Sequence, residues 1–162
     1  MILFHGTSTY YKARIAKDYQ LKPRRRKKGN YDADLKSDPE CVYLTDVYAH
    51  AFARIAVNAK GGRPLILKVE VDESTIEPDT DYISSGSHHS TFEDGIECLE
   101  KTGCCAVRGV VEIIDGFIPD KETWERYCQQ PMRINTGFMH AALKKQNEET
   151  LNVILWNSSK IF

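Results

Sequence analysis

The stretch MILFHGTSTYY sets an apolar run, Ile2, Leu3 and Phe4, directly before His5, Gly6, Thr7 and Ser8. An imidazole at a strand end, a residue without a Cβ and two hydroxyls are groups that hold a polar small molecule against backbone. The plainer alternative is a core histidine followed by a turn glycine. A second set lies in CVYLTDVYAHAFARIA, where Tyr43 sits in a run of β-formers and Phe52 on the helix that follows. A plain strand aromatic and a core-facing helix residue are their alternatives. Glu112, flanked by apolar residues in AVRGVVEII, is a carboxylate able to stabilise positive charge or move a proton. Arg108 shares its face if the strand is regular, because even steps along a strand point the same way. Glu93, Glu97 and Glu100 are further acidic candidates, each equally at home on a solvated helix face. The run Arg24, Arg25, Arg26, Lys27 and Lys28 either contacts phosphate or forms a solvated loop.

The elements that position these groups follow from periodicity and punctuation. Residues 2–5 read as a strand, and residues 9–18 as a helix with Tyr10, Ala13 and Ile15 or Ala16 turned inward. Leu21-Lys22-Pro23 ends that unit, and a long polar stretch without periodicity leads to the strand CVYLT. DVYAHAFARIAVNAK reads as a helix capped by Asp46 and closed by Lys60-Gly61-Gly62. In PLILKVEV, Leu65, Leu67, Val69 and Val71 alternate with Ile66, Lys68 and Glu70, the pattern of a central or nearly central strand. A turn-rich stretch anchored by Tyr82 and Ile83 and a polar loop around His88-His89 precede a short helix in FEDGIECLEK. CCAVRGVVEII reads as one strand, residues 123–128 and about 135–146 as helices, and LNVILWN as a late strand. The expected architecture is a single α+β domain whose strands are largely non-sequential.

Composition narrows the partners. The 162 residues suffice for one domain with a core of its own. Lys plus Arg number 22 against 23 for Asp plus Glu, a formal charge of -1, so any attraction to nucleic acid must be local. The five cysteines, Cys41, Cys98, Cys104, Cys105 and Cys128, show no metal-ligand spacing and read as free thiols, with no metal expected. No stretch has the length of a membrane span and no basic lead with an apolar core opens the chain. A cytoplasmic protein without membrane contact is therefore expected.

Taken in order, LFHGTS, then VYLTD with its small-residue helix, then a polar loop and helix leading into CCAVRGVVEII resemble the ADP-ribosyltransferase superfamily of the histidine-tyrosine-glutamate type. That superfamily includes diphtheria-toxin-like enzymes, poly(ADP-ribose) polymerases and small toxins, and the NAD-dependent RNA 2'-phosphotransferases share its fold. The likeness covers about residues 2–118, with 119–162 completing the domain. It implies a split mixed sheet with short flanking helices around an NAD cleft, and transfer of ADP-ribose from NAD to a protein or nucleic-acid acceptor with release of nicotinamide. By the same resemblance His5 bonds a ribose hydroxyl, and Gly6 offers backbone to the nicotinamide carboxamide. Thr7 and Ser8 support the strand end or reach the adenosine ribose. Tyr43 stacks on nicotinamide with Phe52 opposite, Glu112 supplies the carboxylate, and Arg108 keeps the phosphotransferase branch open. Arg24, Arg25 and Arg26 would touch acceptor or phosphate. An NAD-binding module of this fold without turnover is the non-enzymatic alternative.

Overall fold

The computed structural model describes residues 1–24, 38–79, 94–132 and 141–162. Strand β1 (Ile2–Ser8) leads into a 3-10 turn and helix α1 (Lys12–Asp18), then the two-residue strand β2 (Gln20–Leu21). Strand β3 (Cys41–Thr45), helix α2 (Ala49–Lys60) and strand β4 (Pro64–Glu70) follow, and then the short strand β5 (Ile76–Glu77). Helix α3 (Gly95–Thr102), strands β6 (Cys104–Arg108) and β7 (Val111–Pro119), helices α4 (Lys121–Cys128) and α5 (Ala141–Trp156) and strand β8 (Ser158–Lys160) complete the order.

The strands form one sheet in the order β2-β7-β4-β1-β3-β6-β5, with β8 also on β7. Every pairing among the described residues is antiparallel, which corrects the expected mixed sheet. β1 runs the full length of β4, from Ile2↔Glu70 to Ser8↔Pro64, but meets β3 at a single register pair, Phe4↔Thr45. β6 and β7 lie on opposite sides of β1, four strand positions apart, yet only Gly109 and Val110 separate them. Four strand spacings in a flat sheet are about 19 Å, and the three Cα steps from Arg108 to Val111 reach only about 11 Å. The sheet must therefore fold over at the weak β1–β3 junction, which brings its two halves face to face.

That bend organises the core. One cluster joins Leu3, Leu67 and Val111 from one half with Val42, Leu44 and Val107 from the other, closed by Ile15 of α1 and Leu99 of α3. Ile66, on the opposite side of β4, packs with Ala49 and Ala53 of α2, Tyr127 of α4 and Leu151 and Ile154 of α5. The alternation read in PLILKVEV is thus present, on a strand next to the centre of the sheet.

Four local expectations fail for identifiable reasons. CCAVRGVVEII is two strands, broken where Gly109 takes a φ of +89° that few other residues adopt. LNVILWN belongs to α5: Asn147, Leu151 and Ile154 bury one stripe at helical spacing, and this outweighs the strand preference of Val153 and Ile154. Asp46 does not cap α2. Thr45 Oγ1 accepts from the N–H groups of Val47 (3.2 Å) and Tyr48 (2.9 Å), while Asp46 pairs with Lys144 (2.8 Å). Tyr10 and Ala13 face outward, because the 3-10 turn over Thr9–Tyr11 shifts the helical phase and leaves Ile15 as the buried residue of α1. Tyr82, Ile83 and the first part of the helix expected at 135–146 lie outside the described residues.

Candidate functional site

Beyond Phe4↔Thr45, β1 and β3 diverge, and a cleft of about 600 Å³ opens between them. His5, Gly6 and Thr7 line it from β1, Tyr43 from β3 and Phe52 from α2. The sequence-predicted residues of the first two motifs therefore meet in one place. His5 bridges the gap where the backbone ladder stops, with its Nδ1 2.9 Å from the Tyr43 carbonyl oxygen. A carbonyl only accepts, so Nδ1 carries the proton and Nε2 presents a lone pair. Burial holds the His5 imidazole below the ordinary histidine value. The bond to Tyr43 opposes this and the Arg24 cation adds to it. The ring is neutral at neutral pH, with Nε2 as a hydrogen-bond acceptor.

Gly6 has a packing role that its sequence did not reveal. A Cβ there would lie 1.9 Å from the Ala49 carbonyl oxygen and 2.7 Å from the Ala53 nitrogen, so glycine lets α2 lie directly on β1. Ser8 is structural as well. Its hydroxyl donates to the Gly61 carbonyl (2.5 Å) and accepts from the Tyr10 N–H (3.1 Å), tying the end of β1 to the end of α2. Thr7 is buried against the cleft. Phe52 meets Tyr48 edge-on at 6.3 Å between centroids and packs beside Val47 and Cys104, leaving part of its ring toward the cleft. The Tyr43 hydroxyl accepts from the Asp38 N–H at 2.8 Å, which fixes the ring's direction.

Glu112 and Arg108 do not join this group. Glu112 is exposed on β7, opposite Gln20 of β2, and is absent from the cleft lining. Arg108 ends β6, and its guanidinium is taken up by Glu77 (Nε 3.1 Å, Nη2 2.9 Å) and Asp38 (3.0 Å). The Gly109 break puts the two residues on strands of different sheet halves, so the shared face expected for them does not exist. Glu97 is half-buried and paired with Lys101 at 2.7 Å, Glu100 is exposed, and Glu93 lies outside the described residues.

Among the described residues, the carboxylates that line the cleft are Asp18, Asp38 and Asp79. Asp18 is paired with Lys22. Asp38 is held below the usual carboxylate range by the Glu40 N–H, then by Arg108. Asp79 alone among them is buried, 6 % exposed, at the end of the turn after β5 and close to Cys98, Cys104 and Cys105. Sequence reasoning passed over it because EPDT carries only turn signals. Burial pushes the Cys41 thiol up to about 11, and burial likewise raises Cys98, Cys104 and Cys105. These thiols stay protonated and are poor nucleophiles. Among the described residues, no three His, Cys, Asp or Glu side chains are grouped to hold a metal ion, and no helix is long and apolar enough to cross a membrane.

Cations border the same opening. Arg14, Lys17, Lys22, Arg24 and Lys60 line it, an excess of positive charge among the described residues of the cleft on a chain whose formal charge is -1. Arg24 Nη2 donates to the Tyr11 hydroxyl (3.2 Å), and its guanidinium lies over the Tyr11 ring at 5.6 Å. Arg25, Arg26, Lys27 and Lys28 lie outside the described residues. No family model, no curated protein and no solved structure matches the chain.

Proposed function

We propose that the protein is an NAD-dependent ADP-ribosyltransferase that moves ADP-ribose to a macromolecular acceptor and releases nicotinamide. The observation that carries this reading is the convergence of His5 and Tyr43 on one cleft, with His5 locked as the neutral tautomer whose Nε2 accepts. Nε2 takes a hydrogen bond from a ribose hydroxyl of the bound dinucleotide, which holds the sugar still. The rings of Tyr43 and Phe52 offer apolar faces to the nicotinamide, and Arg24 offset the charge of the pyrophosphate.

In the reaction the bond between ribose C1' and the nicotinamide nitrogen breaks, and nicotinamide leaves with the electron pair. C1' becomes an oxocarbenium ion. An acceptor heteroatom then bonds to C1' and gives up its proton to solvent water. Asp79 takes the part of the carboxylate that stabilises this cation, in place of Glu112. Its burial strengthens that interaction, because a low dielectric weakens screening.

The position of Glu112 outside the cleft favours a second reading, a module that binds NAD without turning it over. Nicotinamide release separates the two. With NAD and a cell lysate as acceptor source, the protein is expected to release nicotinamide and His5→Ala to lose about a hundredfold of that rate. Saturable NAD binding with no release would establish the binding module. Absence of both would reject the dinucleotide reading.

A further inference from the structure

The cationic side of the cleft continues outward onto a rim built from α1 and the C-terminal end of α2. Ser8 and Thr9 hold these pieces together: Ser8 Oγ donates to Gly61, the Arg63 N–H donates to Thr9 Oγ1 (2.8 Å), and the Thr9 N–H donates to the Arg63 carbonyl (2.8 Å). Lys60 lines the same opening as Arg14 and Lys17 of α1. All three cations are exposed, and none takes part in an ion pair among the described residues. Tyr10 is 65 % exposed at one end of α1 and Tyr19 is 54 % exposed at the other. Tyr10 is fixed by an edge contact with Tyr11 at 5.0 Å, and Tyr19 by an edge contact with Phe162 at 5.2 Å.

We propose that this rim binds single-stranded nucleic acid, with phosphates at Arg14, Lys17 and Lys60 and bases stacked on Tyr10. Uncommitted cations fit any polyanion. The exposed and held tyrosines at the two ends of α1, flanking Arg14 and Lys17, select a strand with unpaired bases over an acidic peptide, because a base offers a flat π-face to each ring and a carboxylate does not. A duplex keeps its bases stacked inside and gives Tyr10 nothing to hold. The rim leads straight into the His5–Tyr43 cleft, so a strand lying on it delivers a nucleotide to that opening. The binding itself stands on the rim alone and does not need the NAD reading to hold.

The test is fluorescence anisotropy of labelled oligo-dU and oligo-U of fifteen nucleotides, without NAD, across a salt series, with poly-glutamate as competitor. Both oligonucleotides are expected to bind saturably and to loosen steeply with salt, and the tighter of the two identifies the sugar preferred. The double variant Arg14→Gln/Lys17→Gln should reduce the slope of log affinity against log salt by about 1.4, the share of two single-strand phosphate contacts. Tyr10→Ala should weaken binding roughly tenfold and leave the slope unchanged. These exposed positions leave the fold intact, which circular dichroism checks. Failure to bind at low salt, displacement by poly-glutamate as effective as by unlabelled oligonucleotide, or variants that bind like the parent would each overturn the proposal.

Discussion

Gly6→Ala puts the relation between α2 and the cleft under direct test. The new Cβ would lie 1.9 Å from the Ala49 carbonyl oxygen and 2.8 Å from its carbon, where ordinary contact begins near 3.4 Å. Both are backbone atoms of α2, so no side chain can rotate out of the way. Either α2 withdraws by about 1.5 Å or β1 buckles. Overpacking of this kind costs about 3 kcal/mol or more. For a domain of this size that is a fall of roughly 6–12 °C in Tm. Gly61→Ala is the control. Its Cβ would meet nothing within 4 Å, so its cost is that of the backbone alone: φ +76° with ψ −163° is a region kept almost entirely to glycine, at about 1–3 kcal/mol and roughly 2–12 °C. Thermal melts followed by circular dichroism compare the two. Because α2 carries Phe52, Ile55 and Ala56 into the cleft, ligand affinity should fall with Gly6→Ala and hold with Gly61→Ala. A Gly6→Ala protein that melts at the parent's temperature and keeps its ligand affinity would refute the close β1–α2 contact.

Thr45→Val removes an oxygen that accepts from the Val47 and Tyr48 N–H groups and donates to the Gly103 carbonyl at 2.5 Å; urea unfolding should show a loss of about 2 kcal/mol. His50 is buried, with Nε2 3.2 Å from Asn147 Oδ1, and burial brings its imidazole down to about 4, so the unfolded chain binds the proton more readily. Its contribution to stability is therefore complete above about pH 6.5 and is lost as the pH falls toward 4; a urea series over that range should show a smaller acid loss in His50→Gln than in the parent. Asp79→Asn should lower the turnover number about a hundredfold and change KM for NAD by less than about threefold; equal kcat in the two proteins would remove Asp79 from the chemistry.

The halves of the site were legible in the sequence to different degrees. The runs of β-formers around His5 and Tyr43 mark their strands, but β1 continues through Gly6 to Ser8, so both residues lie mid-strand, and they meet because β1 and β3 part beyond Phe4↔Thr45. Glu112 looked equivalent, but the break at Gly109 moves it to another strand, and the place of that strand depends on a long-range fact, the fold of the sheet at the β1–β3 junction, which no window around AVRGVVEII contains. Asp79 had no periodicity to mark it, since it ends a turn and is buried by residues distant in the chain. Gly6 was recognised as a close-approach glycine, but what approaches is the backbone of α2, known only once β1 and α2 are packed. The alternation in β4 reads directly because Leu65, Leu67 and Val69 share one buried face, while on the other Ile66 is buried, Lys68 is half-buried and Glu70 is exposed. In α5 the stripe of Asn147, Leu151 and Ile154 is widely spaced, and the adjacent run Val153-Ile154-Leu155 carries the stronger local signal for a strand.

The imidazole resonances of His5 during titration with NAD give the most direct test of the dinucleotide cleft. Two-dimensional proton–nitrogen spectra separate the two nitrogens of each ring, and His5→Gln assigns the signals by their loss. Saturating NAD is expected to shift Nε2 of His5 as it accepts a ribose hydroxyl, to leave Nδ1 protonated toward the Tyr43 carbonyl, and to leave the His50 signals in place. NAD that binds with no change at His5, or a His5 ring that carries its proton on Nε2 in the free protein, would contradict the assignment of this cleft.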